Sequence, residues 1–197
     1  MGSLTDGPEV VLVNASNTNA QLGSGVSGAI REACGPGFQK VLEAALLEAF
    51  GGPMAPGEVL MTHAGHHPTA KWVAHVAVMD YRGGFTADSM PTLELVQAGC
   101  ERLWAKLETL GAPVTVAMVA LGAGTGNLGV LEPTRLAAQT LVDHLAKNPG
   151  SRVTGVTFYG YLLHEYLAMA RVLRGFFPEI EASFSEEVRQ AIASFEE

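Results

Sequence analysis

Two stretches of the chain are poor in side chains and rich in glycine: Gly23-Ser24-Gly25-Val26-Ser27-Gly28 and Gly122-Ala123-Gly124-Thr125-Gly126. Glycine lets the main chain approach a ligand closely and takes backbone conformations that other residues avoid. Successive backbone N–H groups, above all at the start of a helix, bind an anion without Lys or Arg. One such loop reads most simply as a packing turn. Two of them, each beyond an apolar strand, can converge on one crevice and hold one bridging group. A pyrophosphate between two sugars is a ligand of that kind. Neither loop carries the Gly-Lys-Ser/Thr sequence of nucleoside triphosphatases, which disfavours chemistry at a γ-phosphate.

The first cluster also satisfies G-x-G-x-x-G, the fingerprint of NAD-binding turns. In those turns glycine directly follows the first strand, and an acidic residue about 20 positions on closes the second. Here the first strand ends near Ala15 and the polar span Ser16 to Leu22 intervenes. Glu43 and Glu48, at the right distance, fall inside a helical pattern. An NAD-binding oxidoreductase is therefore the weaker alternative. His63, His66 and His67, with His75 on the next strand, have no spacing diagnostic of a metal site and no Cys beside them, so no metal is expected. Asp80, Asp88 and Glu94 surround a loop at 80–91 and read as solvated carboxylates. No Ser-His-Asp arrangement can be argued.

The elements that must position these loops alternate. Runs at 9–15, 58–64, 72–79, 113–121 and 152–161 are apolar or β-branched and predict strands. Helical spacing of apolar residues predicts helices at 26–34, 38–50, 92–110, 132–147 and 163–173. Such alternation predicts a three-layer α/β/α domain with a mixed, largely parallel central sheet, whose ligands sit beyond the carboxyl ends of the strands. Residues 1–173 form this domain and 174–197 a helical extension. In the extension Ser183 and Glu186 have capping-box spacing, and Val188, Ile192 and Phe195 form a stripe.

The net charge of −8 argues against nucleic acid. No apolar run reaches the length of a membrane span, and the first residues lack the pattern of a signal peptide. Two cysteines, Cys34 and Cys100, make no disulfide framework and read as buried small hydrophobes. A cytoplasmic protein without membrane partners is expected.

"VNASN", "LGSGVSGAI", "WVAHVAVM" and "VALGAGTGNLG", in that order, resemble the macro domain, an ADP-ribose-binding module. The resemblance runs from Val11 to about Met169. It implies that Asn17 faces the distal ribose, and that Gly23, Gly25, Val26 and Ser27 belong to a first diphosphate loop. It implies a second loop at Gly122, Ala123, Gly124, Thr125 and Gly126. Tyr161, with Tyr159 as the competing choice, stands where the family often stacks an aromatic on adenine.

Three departures matter. The family's usual first strand, and the Asp that holds the adenine amino group, are missing; only Asp6 and Glu9 lie upstream. Hydrolytic members of one subgroup carry Asp where this chain has Ser27, and a hydroxyl alone is no general base at neutral pH. Val119 and Ala123 replace a Pro and a Thr. The resemblance implies binding of ADP-ribose or an ADP-ribosylated protein, with no cofactor. Ester hydrolysis would be substrate-assisted, with Asn17 orienting the water. A third reading is a protein-interaction module whose glycines are only structural.

Overall fold

The computed structural model describes residues 1–194. Its elements are β1 (Val11–Asn17), α1 (Gly25–Ala33), α2 (Phe38–Phe50), β2 (Val59–His63), β3 (Trp72–Met79), α3 (Leu93–Leu107), β4 (Val114–Met118), α4 (Leu131–Lys147), β5 (Val153–Phe158), α5 (Leu163–Phe176) and α6 (Glu186–Ser194). The strands form one sheet in the order β2-β3-β1-β4-β5. β1 runs parallel to both β3 and β4, and β4 to β5; β2 pairs antiparallel with β3 at one edge. The expected mixed, largely parallel α/β/α arrangement is thus present. Before β1 the chain makes only a short 3-10 turn at Leu4–Asp6.

Alternation along the strands feeds two cores. Val11 and Val13 of β1, with Ala74, Val76 and Val78 of β3, pack among Leu103, Trp104 and Leu107 of α3 and Leu141 of α4. Leu12, Val73 and Ala77 point the other way, among Ile30 of α1 and Phe38 and Leu42 of α2. A sheet covered on both faces needs apolar residues at nearly every strand position, and β3 is such a strand. The Trp104 indole donates to Thr140 Oγ1 at 3.0 Å and fastens α3 to α4. Cys34 and Cys100 are buried, as expected, and burial pushes their thiols up to about 11 and about 12.

α6 packs through Val188, Ala191 and Ile192 against Tyr166, Leu167 and Ala170 of α5. The expected cap at Ser183 is corrected. Ser185 immediately precedes the helix, and its Oγ accepts from the Val188 amide at 3.3 Å. Ser183 instead donates to the Ile180 carbonyl at 2.6 Å, within the preceding 3-10 turn. Phe195 of the expected stripe lies outside the described residues. Among the described residues no helix is long and apolar enough to cross a membrane, and no three metal-ligating side chains cluster.

Candidate functional site

β1, β3, β4 and β5 all end at the same side of the sheet, because they are mutually parallel. From β1 the chain proceeds towards β3 on one side; from β4 it proceeds to β5 on the other. The ends of β1 and β4 therefore flank a crevice of the kind that such sheets use for ligands. Both glycine loops rise there. They divide a cleft into two lobes of about 290 and 720 Å³, and Gly23, Ser24, Gly25, Val26, Val119, Ala120 and Gly124 line both.

The smaller lobe adds Asn17, Gln21, Ser27, Met79, Tyr81, Gly122, Thr125 and Gly126. The larger adds Gly2, Ser3, Leu4, Arg31, Ala123, Tyr159, Tyr161 and Glu165. Asn17, Tyr159, Tyr161 and the residues of both glycine loops named from the sequence as ligand-binding thus border this cleft, whereas the histidines and the loop carboxylates do not line it. Sequence reasoning missed Gln21, Met79 and Tyr81, although Met79 and Tyr81 lie at the carboxyl end of β3, where this fold puts its ligands. It also missed the N-terminal segment, which carries no motif. That segment is held by the Gly2 amide on the Gly160 carbonyl at 3.2 Å and by His67 Nε2 on the Thr5 carbonyl at 3.0 Å.

The loops present unpaired amides. α1 begins at Gly25, and its first internal bond is Gly28 N–H to the Ser24 carbonyl at 3.3 Å. The amides of Gly25, Val26 and Ser27 consequently have no acceptor among the described residues, as expected for a first helical turn. Ser24, at the N-cap, does not satisfy them with its side chain. In the second loop Ala123 N–H bonds Ala120, Asn127 N–H bonds Gly124 and Leu128 N–H bonds Gly122. The amides of Gly124, Thr125 and Gly126 have no acceptor among the described residues. Six N–H groups on the two loops thus have no acceptor among the described residues, and no basic side chain lines the smaller lobe; unpaired main-chain amides of this kind are groups that anions bind.

The macro domain family model matches residues 13–137, which contain most of β1, all of β2, β3 and β4, and both loops. The chain belongs to the macro domain family. It is 31% identical over 150 residues to an O-acetyl-ADP-ribose deacetylase of Enterobacter sp. (strain 638), covering 76% of this chain and 78% of that protein. It is 33% identical over 138 residues to an uncharacterised protein of Aeropyrum pernix, covering 70% of this chain and 66% of the other. An Oceanobacillus iheyensis macrodomain solved with ADP superposes with a TM-score of 0.74 at 21% identity, covering 91% of this chain and 90% of that one. A Trypanosoma brucei macrodomain solved in complex with ADP-ribose gives 0.68 at 22% identity, covering 85% and 65%.

In this macro domain Asn17 is committed to its own loop. Its Oδ1 accepts from the amides of Asn19 and Gln21 at 3.1 and 3.2 Å, and its Nδ2 donates to the Gln21 carbonyl at 3.0 Å. Both oxygen lone pairs are used, so one amide hydrogen is what remains to offer a ligand. No Asp, Glu, His or Cys lines this lobe among the described residues. Asp80, the nearby loop carboxylate, is held down at about 2, chiefly by the hydrogen bond from Arg82 at 2.7 Å, and is no base at neutral pH.

At the opposite end, Tyr159 donates to the buried Glu9 at 2.9 Å. Burial, together with the Glu9 carboxylate, pushes the phenol up to about 12. Tyr161 stands at the rim, 76% exposed.

Proposed function

We propose that this macro domain binds ADP-ribose, free or attached to a protein. The observation that carries the reading is the pair of amide-lined loops facing one cleft between a lobe with Asn17 and a lobe with two tyrosines. The diphosphate lies along the two loops, whose six unpaired N–H groups take the place of basic side chains. The distal ribose lies with Asn17 and the adenine in the larger lobe, beside Tyr159 and Tyr161. The name of the Enterobacter relative and the ligands of the two macrodomain structures support this assignment. The net charge of −8 supports a partner that is not nucleic acid. Two buried free thiols suit the reducing cytoplasm.

Hydrolysis of ADP-ribosyl esters is the second reading, favoured by the relative's name. With no base lining the Asn17 lobe, the reaction is substrate-assisted. The ligand's diphosphate and the remaining Asn17 N–H orient the water toward the anomeric carbon, whose bond to the ester oxygen breaks as the water oxygen binds; the acyl group leaves as a carboxylate and the proton passes to solvent. Release of ADP-ribose from an ester-modified protein tests this, and release no faster than from an Asn17→Ala control leaves a binder only.

Calorimetric titration with ADP-ribose, NAD and AMP tests the first reading. Micromolar affinity for ADP-ribose, about −8 kcal/mol, is expected. Tighter binding of NAD would revive the oxidoreductase, and silence towards all three would leave the interaction module.

A further inference from the structure

Behind Ser27 runs a chain of buried polar groups that the diphosphate reading does not use. The Ser27 hydroxyl donates to Asn14 Oδ1 at 2.9 Å. Asn14 Nδ2 donates to His75 Nδ1 at 3.3 Å, and His75 Nε2 meets Thr62 Oγ1 at 3.0 Å. Asn14 and His75 are fully buried, and Thr62 nearly so. Strand register builds the chain, since Asn14 of β1 lies beside His75 of β3. Burial pushes the His75 imidazole down to about 3, so the ring is neutral. Accepting a hydrogen bond at Nδ1 from Asn14 leaves the ring's own N–H on Nε2, directed to Thr62. Each link thereby fixes the direction of the next, and the Ser27 proton is turned away from the cleft.

Resting on the ADP-ribose reading, we propose that Ser27 is a specificity residue for the distal ribose, accepting a hydrogen bond from one of its hydroxyls through a lone pair aimed by Asn14. Ser27 lines the Asn17 lobe and not the tyrosine lobe. There Asn17 offers one N–H and Ser27 one acceptor, a donor–acceptor pair that matches the vicinal hydroxyls of a sugar. The same geometry denies Ser27 the role of nucleophile, because its proton rests on an amide oxygen, which is not a base. Asn14, His75 and Thr62 are positioning residues.

The test compares ADP-ribose with ADP, which lacks the distal ribose, on the full chain and on Ser27→Ala and Ser27→Cys. Both variants are expected to lose about tenfold in ADP-ribose affinity, the equivalent of one hydrogen bond, with ADP binding unchanged. ADP binding doubles as the check that the first loop is intact. Derivatives of ADP-ribose with each distal hydroxyl in turn exchanged for fluorine, which accepts but does not donate, give the polarity. At one position fluorine should weaken the wild type about tenfold and leave Ser27→Ala unaffected. Equal ADP-ribose affinity in the wild type and Ser27→Ala overturns the assignment. So does an equal loss for ADP, or tolerance of fluorine at every position. A wild type that binds neither nucleotide instead overturns the ADP-ribose reading on which it rests.

Discussion

A Cβ added at Gly126 would run into Pro91 and the Gly122 carbonyl oxygen, and one added at Gly122 would lie 3.0 Å from Leu128 and 3.1 Å from Pro91. A Cβ at Gly23, Gly25 or Gly124 would meet nothing within 4 Å. In the second loop two glycines are therefore demanded by packing, and only Gly124 looks into open space. In the first loop Gly23 and Gly25 face the cleft with no neighbour that requires them, although Gly25 is required by its backbone, at φ 59, and a Cβ at Gly28 would lie 3.1 Å from the Gly23 carbonyl oxygen. The contrast separates glycines that let the chain fold from glycines that keep a cavity open. It also changes the reading of Gly126, which the sequence alone presents as a phosphate contact. A side chain there disturbs the loop before it reaches any ligand.

Four substitutions break or sharpen this contrast. Gly126→Ala is expected to destabilise the fold by about 3 kcal/mol, as overpacking does. In a chain of this size thermal unfolding then falls by about 6–12 °C. A shift within a degree would show that the second loop is not bound by packing.

Gly124→Val should leave the melting temperature in place and lower ADP-ribose affinity about a hundredfold, near 2.7 kcal/mol, by filling the waist of the cleft. Unchanged affinity by calorimetry would remove the distinction between the two kinds of glycine. Ser24→Asp is expected to act in opposite directions on stability and binding. A carboxylate at the uncapped start of α1 gains about 0.5–1 kcal/mol of stability and repels a diphosphate, weakening binding about tenfold. Melting and titration of the same sample check both signs. Gly25→Ala has the smallest effect: about 1 kcal/mol of backbone strain, read as a drop of about 2–4 °C.

The sheet was legible because its strands are apolar on both faces, and the loops because glycine clusters stand beyond two of those strands. Which glycine packs and which lines a cavity was not, since Pro91, the neighbour that decides it, lies far from Gly126 in sequence. Likewise, His75 could be read as a structural strand residue, but its partners Asn14 and Thr62 come from strand register, which no local pattern specifies. Ser183 matched a capping spacing; Ser185 took the role because the helix begins one residue after it. The wall made by Gly2, Ser3 and Leu4 had no sequence signal, being held by main-chain contacts and one histidine.

Recognition through backbone amides hides from the usual genetic survey. Exchange to alanine leaves every peptide N–H in place, so on the proposed reading an alanine scan across Val26 or Thr125 would return near-normal phenotypes at positions set against the ligand. For this cleft, substitutions that add bulk, or chemistry that replaces the peptide bond with an ester and deletes the hydrogen itself, are the informative probes.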